Sequence, residues 1–254
     1  MKHILTLLLV LVAAFQSHGD EALSAKELAA KLSALQQDGS SLVRLKLTTT
    51  TTFQLQIKQR RTANSTEVVY QLIWPKERTG EAVLLRQTGT QVATGILFVP
   101  PATFTPLDMK MALFGSDLSY ADVLENFFAW PNQVIIGNEI VNRVNCQILE
   151  SKPGKGHRSN YASVRTWVDT KRLVPLRIEK YGASGQVVRR IDSGRIVTDD
   201  IGRHVPGSLS VSGPGKGSPS ELEGSKLKHD VTFIDAEFTA NGLKLATSSD
   251  GKAN

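Results

Sequence analysis

The chain has 254 residues, 30 Lys and Arg against 24 Asp and Glu for a net charge of +6, 6% aromatic residues and one cysteine. A lone Cys146 excludes an internal disulfide. The basic residues are spread without a run longer than two and aromatics are few, so a nucleic-acid surface built on basic and stacking side chains has no support and none is expected as a partner.

In chain order, Lys2 precedes an apolar stretch from Ile4 to Phe15 interrupted by Thr6. The stretch is shorter than the roughly 20 residues a membrane-spanning helix needs. With Ser17 and Gly19 after it, it reads as a signal peptide over 1–19, cleaved before Asp20. No cysteine follows it, so no lipid anchor is expected. Residues 20–245 then form a single domain, and the polar residues 246–254 a disordered tail.

Ser24 with Glu27 fits a capping box. Leu28, Leu32 and Leu35 follow at helical spacing, predicting a short N-terminal helix that ends near Gly39. From Ser41 the period becomes two. Phe53, Leu55 and Ile57 alternate with polar residues, as do Val68, Tyr70, Leu72 and Trp74, predicting strands with one apolar face. Residues 81–88 and 91–99 read as two more strands. The proline-rich segment Pro100–Pro106 reads as a loop, because proline cannot donate to a ladder.

Ser119 and Asp122 mark a helix start. The Ser119–Trp130 helix would carry Val123, Leu124, Phe127, Phe128 and Trp130 and stop at Pro131, as a lid. Val134–Ile136 and Glu139–Val141 read as a hairpin turning at Gly137-Asn138. Residue 145 begins a further series of strands running to a closing strand region over 225–238. The fold class is mainly β: an unclosed antiparallel β-barrel of about 10–11 strands, with a short helical lid and an N-terminal helix.

Catalytic chemistry finds little footing. His157, His204 and His229 lack metal-ligand spacing, so no metal or other cofactor is expected. Gly213–Ser218 lacks phosphate-loop spacing. Gly182-Ala-Ser184 lacks the second glycine of a nucleophile elbow. Asp199-Asp200 reads as a turn, and Cys146 as a buried structural thiol. What remains is apolar surface, compatible with either a closed core or a ligand cavity.

Five motifs bear on that choice: Gly115-Ser-Asp-Leu-Ser-Tyr-Ala-Asp122, Gly137-x-Glu139, Trp167-Val-Asp169, Leu173-Val-Pro-Leu-Arg-Ile-Glu179 and Tyr181-Gly-Ala-Ser-Gly185. In order and spacing they resemble the outer-membrane lipoprotein-sorting protein family around LolA, over roughly residues 41–238. The resemblance implies a half-barrel with a lid over a hydrophobic cavity, and a periplasmic carrier that binds acylated lipoproteins or lipids and is not an enzyme. The implied alternative is a sensor that regulates an inner- or outer-membrane protein partner. The lipid-contacting residues would be Phe53, Leu55, Ile57, Tyr70, Leu72, Trp74, Leu97, Val99, Phe127, Phe128 and Trp130.

Overall fold

A computed structural model describes residues 23–36, 39–62, 64–89, 91–157, 159–215 and 217–245. The expected signal segment 1–19, its cleavage site and the tail 246–254 lie outside the described residues. The N-terminal helix α1 spans Ala25–Gln36. Its capping box forms as the sequence predicts: the Glu27 amide donates to Ser24 Oγ at 3.3 Å, and the Ser24 amide to Glu27 Oε2 at 3.0 Å. Leu28 and Leu32 are buried on one face, following the 3.6-residue period.

Six strands follow: β1 (Ser40–Thr48), β2 (Thr52–Arg61), β3 (Ser65–Trp74), β4 (Ala82–Thr88), β5 (Thr94–Val99) and β6 (Thr103–Pro106). A long connection over residues 107–131 leads to β7 (Asn132–Val141), β8 (Val144–Lys152), β9 (Ser163–Asp169), β10 (Val174–Tyr181) and β11 (Val187–Ser193). Then come β12 (Ile196–Thr198), β13 (His204–Pro206), β14 (Ser208–Ser212), β15 (Ser220–His229) and the short helix α2 (Ala240–Leu245). Thirteen strands form one antiparallel sheet in the order β6-β5-β4-β3-β2-β1-β15-β14-β11-β10-β9-β8-β7, and β12 and β13 pair separately. The two end strands, β6 and β7, do not meet, so the barrel is unclosed. Among the described residues no helix is long and apolar enough to cross a membrane.

Four local readings are corrected. The Pro100–Pro106 segment holds a short strand, β6, paired with β5. Proline is tolerated there because β6 is an edge strand whose outer side needs no donor. The hairpin turns at Asn142-Arg143, with φ of 51° and 66°, the left-handed pair of a two-residue turn. Gly137 instead sits in a bulge of the continuous strand β7, where pairing with β8 shifts between Ile135 and Gly137. The closing strand is β15, which ends at His229, and Asp235–Phe238 is a 3₁₀ turn.

The fourth correction concerns the lid. Residues 119–126 form turns without an α-helix, followed by a single 3₁₀ turn at Phe127–Ala129. The apolar side chains here serve two separate cores. Leu124 packs with strands β1–β4. Phe127 and Phe128 pack with α1 and with Leu149 and Val164 of β8 and β9. One helical stripe cannot face both ways, and the chain turns between them.

Strands β3–β5 are covered on both faces. Phe238 and Leu243 pack over Val69, Leu84 and Phe98 on the outer side. Burying each such side chain contributes about 1.5–3 kcal/mol.

Candidate functional site

The concave side of β1–β5 carries the largest apolar cluster. Phe53, Leu55, Ile57, Tyr70 and Leu72 face it from β2 and β3, with Val83 and Leu85 from β4. Leu97 packs at its margin, and Val99, two residues on, is half-buried. The cover is the chain's own connection, through Leu113, Phe114, Leu118, Tyr120 and Leu124. Phe114 is the centre of this plug, with ring centroids 6.2 Å from Phe53 and 6.4 Å from both Tyr70 and Tyr120. Its φ is 47°, a left-handed conformation that bulky residues rarely adopt and that the surrounding packing must hold.

Trp74 is the exception among the expected lining residues. It pairs with Gln54, while Leu72 pairs with Leu55, so Ile73 is an extra residue in β3. That bulge inverts the phase of the last residue, and Trp74 lies half-exposed on the side of Gln54. Phe127, Phe128 and Trp130 are buried beside α1 against β8 and β9. They cover the second half of the sheet, apart from the Phe53 cluster. The Gln133 amide donates to the carbonyls of Phe127 and Trp130 at 3.1 and 2.9 Å, holding that turn.

Polar fastenings, which sequence reasoning missed, hold the cover down. Asp117 pairs with Ser220 of β15: its amide donates to Ser220 Oγ at 2.9 Å, and that hydroxyl donates to its carboxylate at 2.7 Å. Asp122 Oδ1 receives Lys180 Nζ at 2.6 Å and the Tyr161 hydroxyl at 2.6 Å, and Arg189 binds Oδ2. Side-chain exposure is 1% for Asp122 and 2% for Lys180. Burial pushes the Asp122 carboxyl up, but Lys180, Arg189 and the Lys180 and Tyr161 hydrogen bonds outweigh it and hold its pKa at about 2. Burial raises Glu125 nearby, against the attraction of Lys180 and a 2.6 Å hydrogen bond from Ser159. Lys180 also lies over the rings of Tyr161 and Phe127, at 4.7 and 5.7 Å.

The recurring motifs thus have structural roles. Gly115–Asp122 supplies the plug and both of its acidic fastenings. Trp167 donates from Nε1 to Glu139 at 2.8 Å, joining two motifs across β9 and β7. Asp169 accepts from the amides of Lys171 and Arg172, shaping the β9–β10 turn. Cys146 is fully buried beside Trp167, Val174 and Leu176. The Asp199-Asp200 turn meets His229, and the three side chains offer ligand-type atoms within 4.8 Å of one another. Arg203 donates to Asp199 at 3.1 Å and also contacts His229, so a guanidinium already supplies the cation there.

A family model described as an uncharacterized protein matches residues 96–245. The fold resembles a DUF1329 family protein from Desulfovibrio piger, with a TM-score of 0.77 and 21% identity over 86% of this chain and 97% of that one. A domain from Vibrio parahaemolyticus, described as outer membrane lipoprotein-sorting, gives a TM-score of 0.74 and 19% identity over 87% and 98%. A LolA superfamily protein from Nitrosomonas europaea gives 0.67 and 18% over 87% and 100%. No curated protein matches the sequence. The family model covers more than half of the chain, so the chain belongs to that family of uncharacterized proteins, and its half-barrel has the fold of the LolA superfamily protein and the lipoprotein-sorting domain.

Proposed function

We propose that this protein is a periplasmic carrier that holds the acyl chains of lipoproteins or lipids on the concave face of its half-barrel, beneath the 107–131 connection. The observation that carries the reading is a broad apolar face covered by a segment that is not part of the sheet. That cover lacks an α-helix, centres on a left-handed Phe114 and is fastened by side chains at Asp117 and Asp122. An acyl chain displacing Phe114 and Leu118 exchanges one apolar contact for another, and each buried CH₂ contributes about 0.8 kcal/mol. Phe53, Leu55, Ile57, Tyr70, Leu72, Leu97 and Val99 are the proposed contacts, with Phe127, Phe128 and Trp130 as the far wall. Trp74 leaves the proposed set because it faces outward. The work is binding rather than catalysis: Asp117, Asp122 and Lys180 are taken up in fastening the cover.

Native mass spectrometry of protein purified without detergent tests this reading. The expected spectrum contains adducts of lipid mass, and stripped protein rebinds a fluorescent acyl probe. Folded protein that arrives empty and binds no probe would overturn it.

One observation favours a second reading, a sensor acting on a membrane protein. Edge strand β7 pairs on one side with β8 and exposes Val134, Ile136 and Ile140, which suits strand addition by a partner. A photo-crosslinker at Ile140 that captures one envelope protein from intact cells, in a protein carrying no lipid, would favour the sensor over the carrier.

A further inference from the structure

Strand β2 ends in two arginines whose side chains go opposite ways. Arg60 points to the outer side and is fully paired, with Glu67 at 2.6 Å and Asp235 at 2.5 Å. Arg61 points to the inner side. It donates to the backbone carbonyl of Gln36 at 2.5 Å and reaches that of Val123 at 3.5 Å, and its buried Nε has no partner. No carboxylate among the described residues forms an ion pair with it. Burial pushes its guanidinium below the usual arginine range. A buried cation without a counter-charge is costly.

Arg61 lies on the wall of a cavity of about 330 Å³ between the end of α1, the cover and β10–β11. That volume is at the lower end for small-molecule sites. Leu118, Val123, Phe127, Ile178 and Ile191 give the wall its apolar part. Two carboxylates share the wall: Asp122, which binds Lys180 on the wall and Arg189 beside it, and Glu125, which accepts from Ser159 and which burial raises toward its neutral form; neither pairs with Arg61. The cavity therefore combines alkyl-sized apolar walls with one guanidinium that is held by backbone carbonyls and lacks a paired carboxylate.

We propose that this cavity binds the anionic headgroup of a single-chain amphiphile on Arg61, with the alkyl chain running from Val123 and Leu118 toward the Phe114 plug. The headgroup is a carboxylate or a phosphate monoester, both of which match the planar donor fork of arginine. The inference rests on the carrier reading and narrows it from acyl chains in general to acidic amphiphiles.

The test titrates folded protein with three fluorescent probes of equal chain length: a fatty acid, its methyl ester and an alkyl phosphate. The acid or the phosphate should bind about tenfold or more tightly than the ester, the worth of one charge-assisted hydrogen bond. Which of the two binds better identifies the headgroup source. Arg61→Gln should remove that preference and leave ester affinity unchanged. Gln59→Glu, two residues away on the same cavity wall, would supply an internal counter-ion and should also erase the preference, so the test survives if Arg61→Gln does not fold. Equal affinity for acid, phosphate and ester in the wild type overturns the headgroup site while leaving the carrier reading intact. A loss of acid and ester binding together in Arg61→Gln, with Gln59→Glu unaffected, makes Arg61 a clamp on Gln36 and Val123 and also overturns it. Failure of all three probes to bind folded wild type defeats the carrier reading itself.

Discussion

The two halves of the sheet are covered in different ways. Over β1–β5 the concave cover is a plug of irregular chain held by apolar contacts, one strained backbone residue and the Asp117–Ser220 pair. Over β8–β10 the cover is α1 with Phe127, Phe128 and Trp130. The buried Asp122–Lys180–Arg189 network stands between these two covers. The first half keeps a second core on its outer face, through Phe238 and Leu243, so its strands are packed from a side the plug does not touch. The second half is covered by a helix that carries its own hydrogen bonds.

The sharpest way to break this comparison is Phe127→Asp/Phe128→Asp. Two carboxylates in the α1 core should detach the helix and abolish acyl-probe binding, while far-UV circular dichroism keeps most of the β signal. Loss of both signals would make the cover an inseparable part of the core. Next, Asp122→Asn leaves Lys180 and Arg189 buried without their counter-charge. It should cost about 3–5 kcal/mol in urea unfolding, and should raise protease cleavage within 107–131 more than elsewhere. Cleavage spread evenly over the chain would mean that the network holds the whole fold.

A smaller effect should follow pH. Asp122 titrates at about 2 when folded, below its ordinary value of 3.8. Its stabilisation is therefore complete above about pH 4 and is lost as pH falls toward 2, amounting to about 2 kcal/mol. Melting curves of wild type and Asp122→Asn should converge over that window, and parallel curves would count against the assignment. Smallest is Ser24→Ala, which removes the α1 cap for about 1 kcal/mol. It should loosen α1 in hydrogen exchange without exposing the Phe114 plug.

Much of the fold is legible in the sequence because the signals are local. Alternation at Phe53, Leu55 and Ile57 sets the face of β2, and Ser24 with Glu27 sets the start of α1. The lid departs from its local signal for a physical reason. Ser119 and Asp122 do form reciprocal hydrogen bonds of the capping-box kind, at 2.7 and 3.2 Å. No helix follows, because Leu124 and Phe127 are drawn to different cores. Trp74 faces opposite to the side its alternation predicts because one inserted residue in β3 reverses the phase after it. Gly137 suggested a turn, but the bulge uses its conformational freedom and Asn142-Arg143 makes the turn. The fastening of Asp122 has no local signal at all: its partners Lys180 and Arg189 lie 58 and 67 residues away.

The pairing of β1 with β15 governs how the sheet can be completed. Leu42 sits opposite Lys228, and β15 in turn joins β14, so the strand made last bridges the two halves. Until residue 229 has been synthesised, β1 has an open edge, and the N-terminal meander β1–β6 has an unpaired strand at each end. Contacts so distant in sequence form slowly, and open edges in a partly made chain invite mispairing. Truncation between β14 and β15 should therefore leave two unjoined sheets rather than a smaller half-barrel.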